Sequence, residues 1–223
     1  MNHLAKAQRD IPKEIILYGG TGQAKVVRPI IEYYGSKVIA VFDDTENLNQ
    51  PFENIDLFTG YESLLKWKET INVNEIGFVI TIGNPNGNFR LDLHEKLIKE
   101  GLKPVTIIHP EAIIADNCEI RAGSQIMAGA VIMPEAKIGR QCIINTNASI
   151  DHECIIDDGC EVAPGATLCG DVKMHRNSWV CAGATVLPRI SIGENSIVGA
   201  GSVVINDIEE NKTVVGVPAK IYL

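Results

Sequence analysis

The stretch Asn145-Thr146-Asn147-Ala148-Ser149-Ile150-Asp151-His152-Glu153-Cys154 crowds polar side chains between aliphatic ones. His152 is its natural proton acceptor, because imidazole titrates close to neutral pH. Glu153 follows directly, and a neighbouring carboxylate holds an imidazole in one tautomer and raises its basicity, as a general base requires. On a surface, such a pair is usually just solvated, so its role depends on what lies around it. A second concentration sits near the N-terminus, where Gly19-Gly20-Thr21-Gly22-Gln23-Ala24-Lys25 follows a short apolar run. Glycines in such a turn let backbone N–H groups approach a pyrophosphate at the start of a helix. The acidic pair Asp43-Asp44 and the turn Gly83-Asn84-Pro85 complete the set.

The elements that must carry these groups fall into two halves. Residues 15–19 read as a strand, Val26 to Tyr34 as a helix, Lys37 to Phe42 as a second strand, and Ile76 to Ile82 as a third. Glu62 to Lys68 and Asn88 to Glu100 read as helices, and Val105 to Ile108 closes the series. Strands alternating with helices predict a small α/β domain on a parallel sheet, over residues 15–108. In such a sheet ligands bind beyond the carboxyl ends of the strands, and Thr21-Gly22-Gln23, Asp43-Asp44 and Gly83 all fall there. A nicotinamide fingerprint would place a third glycine near position 25, where this chain has Lys25.

The second half, residues 109–223, is organised by a repeat. Stepping by six from Ile114 to Val204, all sixteen positions are aliphatic or Met. Two residues earlier runs a register from Ala112 to Ser202 in which fourteen of sixteen are Ala, Ser or Cys. A period of six fits neither the 3.6 of a helix nor the alternation of a half-exposed strand. It fits a solenoid of short strands and corners, three hexads to a coil. Cys118, Cys142, Cys154 and Cys160 occupy the small register as compact fillers, whereas Cys169 and Cys181 fall outside it.

Composition narrows the function. A net charge of -8 without a basic stripe argues against nucleic acid as a partner. No run approaches the length of a membrane helix. Residues 1–14 read as a loose arm rather than a signal peptide, which places the expected site of action in the cytoplasm.

Asn145-Thr146, His152-Glu153, Val162-x-x-Gly165-Ala166, Cys169-Gly170-Asp171-Val172 and the ending Val215-Gly216-Val217-Pro218-Ala219-Lys220 together resemble the hexapeptide-repeat bacterial sugar acyltransferases. That family includes bacillosamine and perosamine N-acetyltransferases and sialic acid O-acetyltransferases. The resemblance implies a Rossmann-like N-terminal domain, a left-handed parallel β-helix and a homotrimer with active sites between subunits. It further implies acetyl-CoA as co-substrate, no metal, and a nucleotide-linked 4-amino-4,6-dideoxy sugar as acceptor. His152 would be the general base, Glu153 its partner, and Asn145 an orienting group for the sugar amine. Thr21, Gly22, Gln23, Asp43, Asp44 and Gly83 would hold the nucleotide. Glu161, Gly170, Ala182 and Ala200 would line the pantetheine arm, with Lys220 near the coenzyme phosphates. The family commonly has Ser-Gly-His where this chain has Thr21-Gly22-Gln23, and Gln cannot carry a charge. Two other readings are O-acetylation of a sialic or related sugar acid and a non-catalytic nucleotide-sugar-binding scaffold.

Overall fold

The computed structural model describes residues 11–83 and 85–222. Most of the expected N-terminal arm and Asn84 lie outside the described residues.

The first unit is built from β1 (Glu14–Tyr18), α1 (Gly22–Tyr33), β2 (Lys37–Asp43), β3 (Leu57–Thr59), α2 (Tyr61–Lys68), β4 (Ile76–Ile80), α3 (Gly87–Lys99) and β5 (Lys103–Pro104). The strands form one sheet in the order β3-β2-β1-β4-β5, with every pairing parallel. The alternation within β1 explains its central place. Ile15 and Leu17 pack with Val27 and Ile31 of α1, while Ile16 and Tyr18 pack with Leu64 of α2 and Leu93 and Leu97 of α3. A strand covered on both faces has no polar side to expose, hence the uninterrupted run Ile-Ile-Leu-Tyr. The chain order reverses between β1 and β4, so the crevice of this sheet opens beyond their carboxyl ends.

Two boundaries differ from the sequence reading. Helix α1 begins at Gly22 rather than Val26, which places Gln23 and Lys25 in its first turn. The segment Val105 to Ile108 does not close the α/β sheet. Lys103–Pro104 fills that edge beside β4, and Ile107–Ile108 pairs instead with Gln125–Ile126 of the second unit. The cause is register: Ile108 lies six residues before Ile114 and belongs to the aliphatic series. The α/β and solenoid cores therefore merge, with Ile107 and Met127 packed in the cluster that holds α1.

The second unit is a three-sided parallel β-helix. Its first sheet starts at Ile107–Ile108 and climbs through Gln125–Ile126, Ile143–Ile144, Glu161–Val162, Trp179–Val180 and Ile197–Val198 to Thr213–Val215. The second sheet runs from Ile113–Ile114 to Val203–Val204, and the third from Glu119–Ile120 to Ser191–Ile192. Each two-residue strand pairs with the one eighteen residues later, as in Val131↔Ser149 and Ile132↔Ile150. The second residue of each strand turns inward, and Ile126, Ile132, Ile144, Ile150 and Val162 are fully buried. The small register sits at the corners and serves their carbonyls. The Cys142 thiol donates to Asp157 O (3.1 Å) and Cys160 to His175 O (3.1 Å), while the Ser124 hydroxyl at the same register donates to Gly139 O (2.6 Å). Burial pushes the Cys160 thiol up to about 12, so these are inert fillers.

The corners carry a third register that the sequence reading did not separate. From Gly123 to Gly201, every sixth residue has a positive φ, including Asn147 (56°), Glu153 (61°) and Asp171 (56°). Glycine and asparagine meet that demand most cheaply, and Glu153 meets it in the middle of the polar stretch.

Candidate active site

His152 and Glu153 occupy the corner between the second and third sheets. Their corner position turns both side chains outward: His152 Nδ1 lies 2.9 Å from Glu153 Oε2, with the side chains 56% and 59% exposed. Asp151 accepts the His152 backbone N–H at 2.8 Å and braces the turn. One coil further on, Gly170 sits directly against the ring. A Cβ at that position would stand 2.5 Å from both Cε1 and Nε2 of His152, so the imidazole occupies space that only glycine leaves open. The Gly170 N–H donates to no other group among the described residues. A base whose free nitrogen lies beside an unspent backbone donor is the arrangement that acyl transfer needs, the donor serving the oxyanion.

The other histidines of the described residues lack that combination. His94 is buried, with Nδ1 2.8 Å from Gln141 Nε2, and desolvation pulls its pKa below the usual imidazole range. His109 Nδ1 accepts the Glu111 N–H (3.1 Å). His175 lies between Asp157 (3.3 Å) and Ser191 (3.2 Å) on the third sheet, but the Ser191 N–H is spent on Asp207.

The N-terminal crevice is a separate assembly. Thr21 precedes α1 without a side-chain cap, and both Thr21 and Gly22 are exposed, leaving the first N–H groups of the helix open. Gly19 is dictated by its φ of 112° and by Thr81 O, which a Cβ would meet at 2.6 Å. Asp43 accepts the Gly20 N–H (2.6 Å) and the Thr45 N–H (2.8 Å), and Asp44 accepts the Tyr18 hydroxyl (2.5 Å). Both carboxylates thus shape the loop at the carboxyl end of the sheet. Burial, and then the bond to Asp44, raise the Tyr18 pKa.

Gln23 also makes a contact that the sequence did not announce. Its Nε2 donates to Gln125 Oε1 (2.9 Å) and approaches Met127 Sδ (3.8 Å), and Gln125 in turn donates to Ile80 O (2.8 Å). The first turn of α1 abuts the first sheet of the β-helix, so an uncharged amide there closes the joint between the two units. Glu161, expected along the pantetheine arm, lies at the joint between the two units. It is 7% exposed and sits where the units meet, accepting from Asn145 Nδ2 (3.3 Å), with Gly83 beside it.

Sequence reasoning missed Arg90, which is fully buried on α3. Its Nε donates to Gln141 O (3.1 Å), Nη1 to Ile82 O (3.1 Å) and Nη2 to Gly159 O (2.8 Å). Burial lowers its pKa, and the nearby Glu161 charge opposes that shift. The available signal was its spacing with His94 and Leu97, which puts a cation on the core face of a helix.

The predicted residues thus fall into two groups. Asn145 shares the edge between the first and second sheets with Ala182 and Ala200, which are exposed two and three coils above it, and it adjoins Gly83 through Glu161. His152, Glu153 and Gly170 share the next edge, between the second and third sheets. Lys220 is exposed on the final antiparallel pair, opposite Val215.

The chain matches the PglD N-terminal domain over residues 14–97 and the bacterial transferase hexapeptide repeats over 135–170 and 171–206. A histidine-to-alanine variant of GDP-perosamine N-acetyltransferase from Caulobacter crescentus, solved with CoA and GDP-perosamine, is 30% identical, with 94% of this chain and 96% of that chain covered and a TM-score of 0.85. The chain belongs to the hexapeptide-repeat sugar acyltransferase family. Two further structures share the fold of this family member. WeeI from Acinetobacter baumannii AYE is 25% identical over 93% of this chain and 99% of its own, with a TM-score of 0.83. The acetyltransferase domain of PglB from Neisseria gonorrhoeae FA1090, in complex with acetyl coenzyme A, is 24% identical over 95% and 100%, with a TM-score of 0.83. The fold is accordingly a Rossmann-like α/β domain followed by a left-handed β-helix. Among the described residues no helix is long and apolar enough to cross a membrane.

Proposed function

We propose that this chain transfers an acetyl group from acetyl-CoA to the 4-amino group of a nucleotide-linked 4-amino-4,6-dideoxy sugar, with His152 as general base. The observation that carries the reading is the imidazole held by Glu153 on one side and seated against Gly170 on the other. The Caulobacter structure with CoA and GDP-perosamine supports this substrate class. The amine nitrogen attacks the thioester carbonyl, His152 Nε2 accepts its proton, and the Gly170 N–H stabilises the oxyanion, a contribution of roughly 3 kcal/mol per donor. The carbon–sulfur bond then breaks, protonated His152 returns the proton to the sulfur, and CoA leaves as the thiol. Direct transfer needs only that the two substrates be held together.

The active unit of this reading is a homotrimer, and the three faces of the prism favour it. The first sheet meets the α/β domain through Gln125 and Glu161. The third sheet presents Glu119, Lys137 and Lys173 to solvent. The second presents Val131, Ser149, Thr167, Thr185 and Val203, an uncharged column suited to packing against copies of itself. Its two bounding edges are those of Asn145 and His152. Packing three second sheets around an axis sets the Asn145 edge and crevice of one protomer beside the His152 edge of the next.

Mixing two strongly impaired variants tests this. His152→Ala and Asn145→Ala chains, unfolded and refolded together in equal amounts, should regain about a quarter of wild-type turnover, since a quarter of the junctions then pair an intact crevice edge with an intact His152 edge. No recovery would place both groups in one protomer's site, and near-normal turnover by His152→Ala alone would remove it as the base. Acetylation of a free sugar acid with no activity on nucleotide sugars would reassign the acceptor.

A further inference from the structure

Glu161 lies where the crevice loop, the α/β domain and the Asn145 edge come together. Its Oε1 accepts from Asn145 Nδ2 at 3.3 Å. Asn145 Oδ1 accepts the Thr146 N–H at 2.8 Å, so both ends of the carboxamide are engaged and its rotation is fixed. A Cβ on Gly83 would stand 3.8 Å from Glu161 Oε2, which sets the other carboxylate oxygen against the loop after β4. The Arg90 guanidinium spreads over three carbonyls: Ile82 from that same loop, and Gln141 and Gly159 from the same corner of two successive coils of the β-helix. Arg90 is completely buried and Glu161 nearly so. Arg90 ties the crevice loop to the coil that carries Asn145, and the Glu161 charge lies close enough to act on it.

We propose that Glu161 is a positioning residue that sets the Asn145 carboxamide and the Ile82–Gly83 loop as one unit on the acceptor side of the site. It is not a contact of the coenzyme arm. The proposal rests on the acetyltransferase reading above. Its distinguishing consequence is where the damage appears: Glu161 governs the acceptor and leaves CoA affinity alone, whereas a pantetheine contact would do the reverse.

The test uses Glu161→Asp, which keeps the negative charge beside Arg90 and so preserves the fold, but withdraws the oxygen from Asn145 by one methylene. Asn145→Ala and the double variant complete a cycle, with CoA binding measured by calorimetry and acceptor kinetics followed with a nucleotide-linked 4-amino sugar. Glu161→Asp should lower kcat/KM for the acceptor about tenfold, the scale of one charge-assisted hydrogen bond, with CoA affinity within about twofold of wild type. The double variant should be no worse than the poorer single one, because both changes release the same carboxamide. Weakened CoA binding with an unchanged acceptor KM, or losses that multiply in the double variant, would overturn the assignment. A wild-type chain that neither binds CoA nor acetylates any nucleotide sugar would sink the functional reading, and this proposal with it.

Discussion

Replacing Gly170 with alanine isolates the seat of the imidazole proposed as general base. Gly170 does not adopt a φ in the left-handed region, so alanine is acceptable to its backbone and the effect comes from the new methyl group alone. That methyl would arrive 2.5 Å from His152 Cε1 and Nε2, where ordinary contact begins at 3.4 Å, so the ring must retreat by roughly 0.9 Å or swing off the corner. Misplacing a reacting group by about 1 Å costs on the order of a hundredfold in rate, equivalent to about 2.7 kcal/mol of activation free energy. The ring is exposed and can move into solvent, so unfolding temperature should stay within a few degrees of wild type. Steady-state kinetics and thermal unfolding of Gly170→Ala, His152→Ala and their combination provide the assay. In the His152→Ala background the methyl group has nothing to displace and should cost little more. Gly170→Ala with more than half of wild-type kcat would refute the reasoning. A large further loss in the double variant would show that Gly170 acts apart from the imidazole.

Glu153→Gly should separate stability from activity: glycine relieves the left-handed corner, holding or raising stability by up to about 1 kcal/mol, while loss of the carboxylate lowers kcat. Urea titrations and turnover of the same preparation check this. Arg90→Ala leaves three buried carbonyls and Glu161 without their cation, and should cost more than about 3 kcal/mol, or a fall near 10 °C in unfolding temperature for a chain of this size. Lowering the pH below 6.5 should weaken the fold before the carboxylates titrate, because burial holds folded His94 neutral while the unfolded chain takes up a proton. The slope should be at most about 1.4 kcal/mol per pH unit, and His94→Gln should flatten it.

The solenoid was legible because its coil repeats one geometric demand. Each inward position between Ile114 and Val204 faces the same neighbour eighteen residues away, and the sixfold aliphatic register follows. The same register predicts Ile108 as a β-helix residue, but an α/β reading that needed a last strand claimed it first. The contacts of Gln23 and Glu161 across the joint between the two units were not legible, for a different reason. Both are polar residues in segments that resemble ligand-binding positions, and only the docking of two units decides whether such a side chain faces a ligand or a partner domain. Arg90 was legible only as an oddity on an apolar helix face. The uncharged column of the second sheet was invisible at a period of six, since it emerges only when outward positions are sorted by eighteen.

Backbone strain does not by itself mark the corner of His152 and Glu153. Glu135, Gln141, Asp171 and Arg189 adopt the same left-handed conformation as Glu153 at other coils. The strain belongs to the prism, which must turn sharply every six residues, and the hydrogen bonds across each corner enforce it: the Glu153 N–H donates to Pro134 O, and the Asp171 N–H to His152 O. Corner 153 differs in what its side chain meets. A glycine there would suit the turn better and leave His152 without a partner, and a side chain at position 170 would suit an ordinary coil and evict the imidazole. The proposed site is thus read from two inversions of the local preference, a carboxylate where glycine is easiest and a glycine where any residue would turn, and their meeting at one ring is what favours His152 as the base.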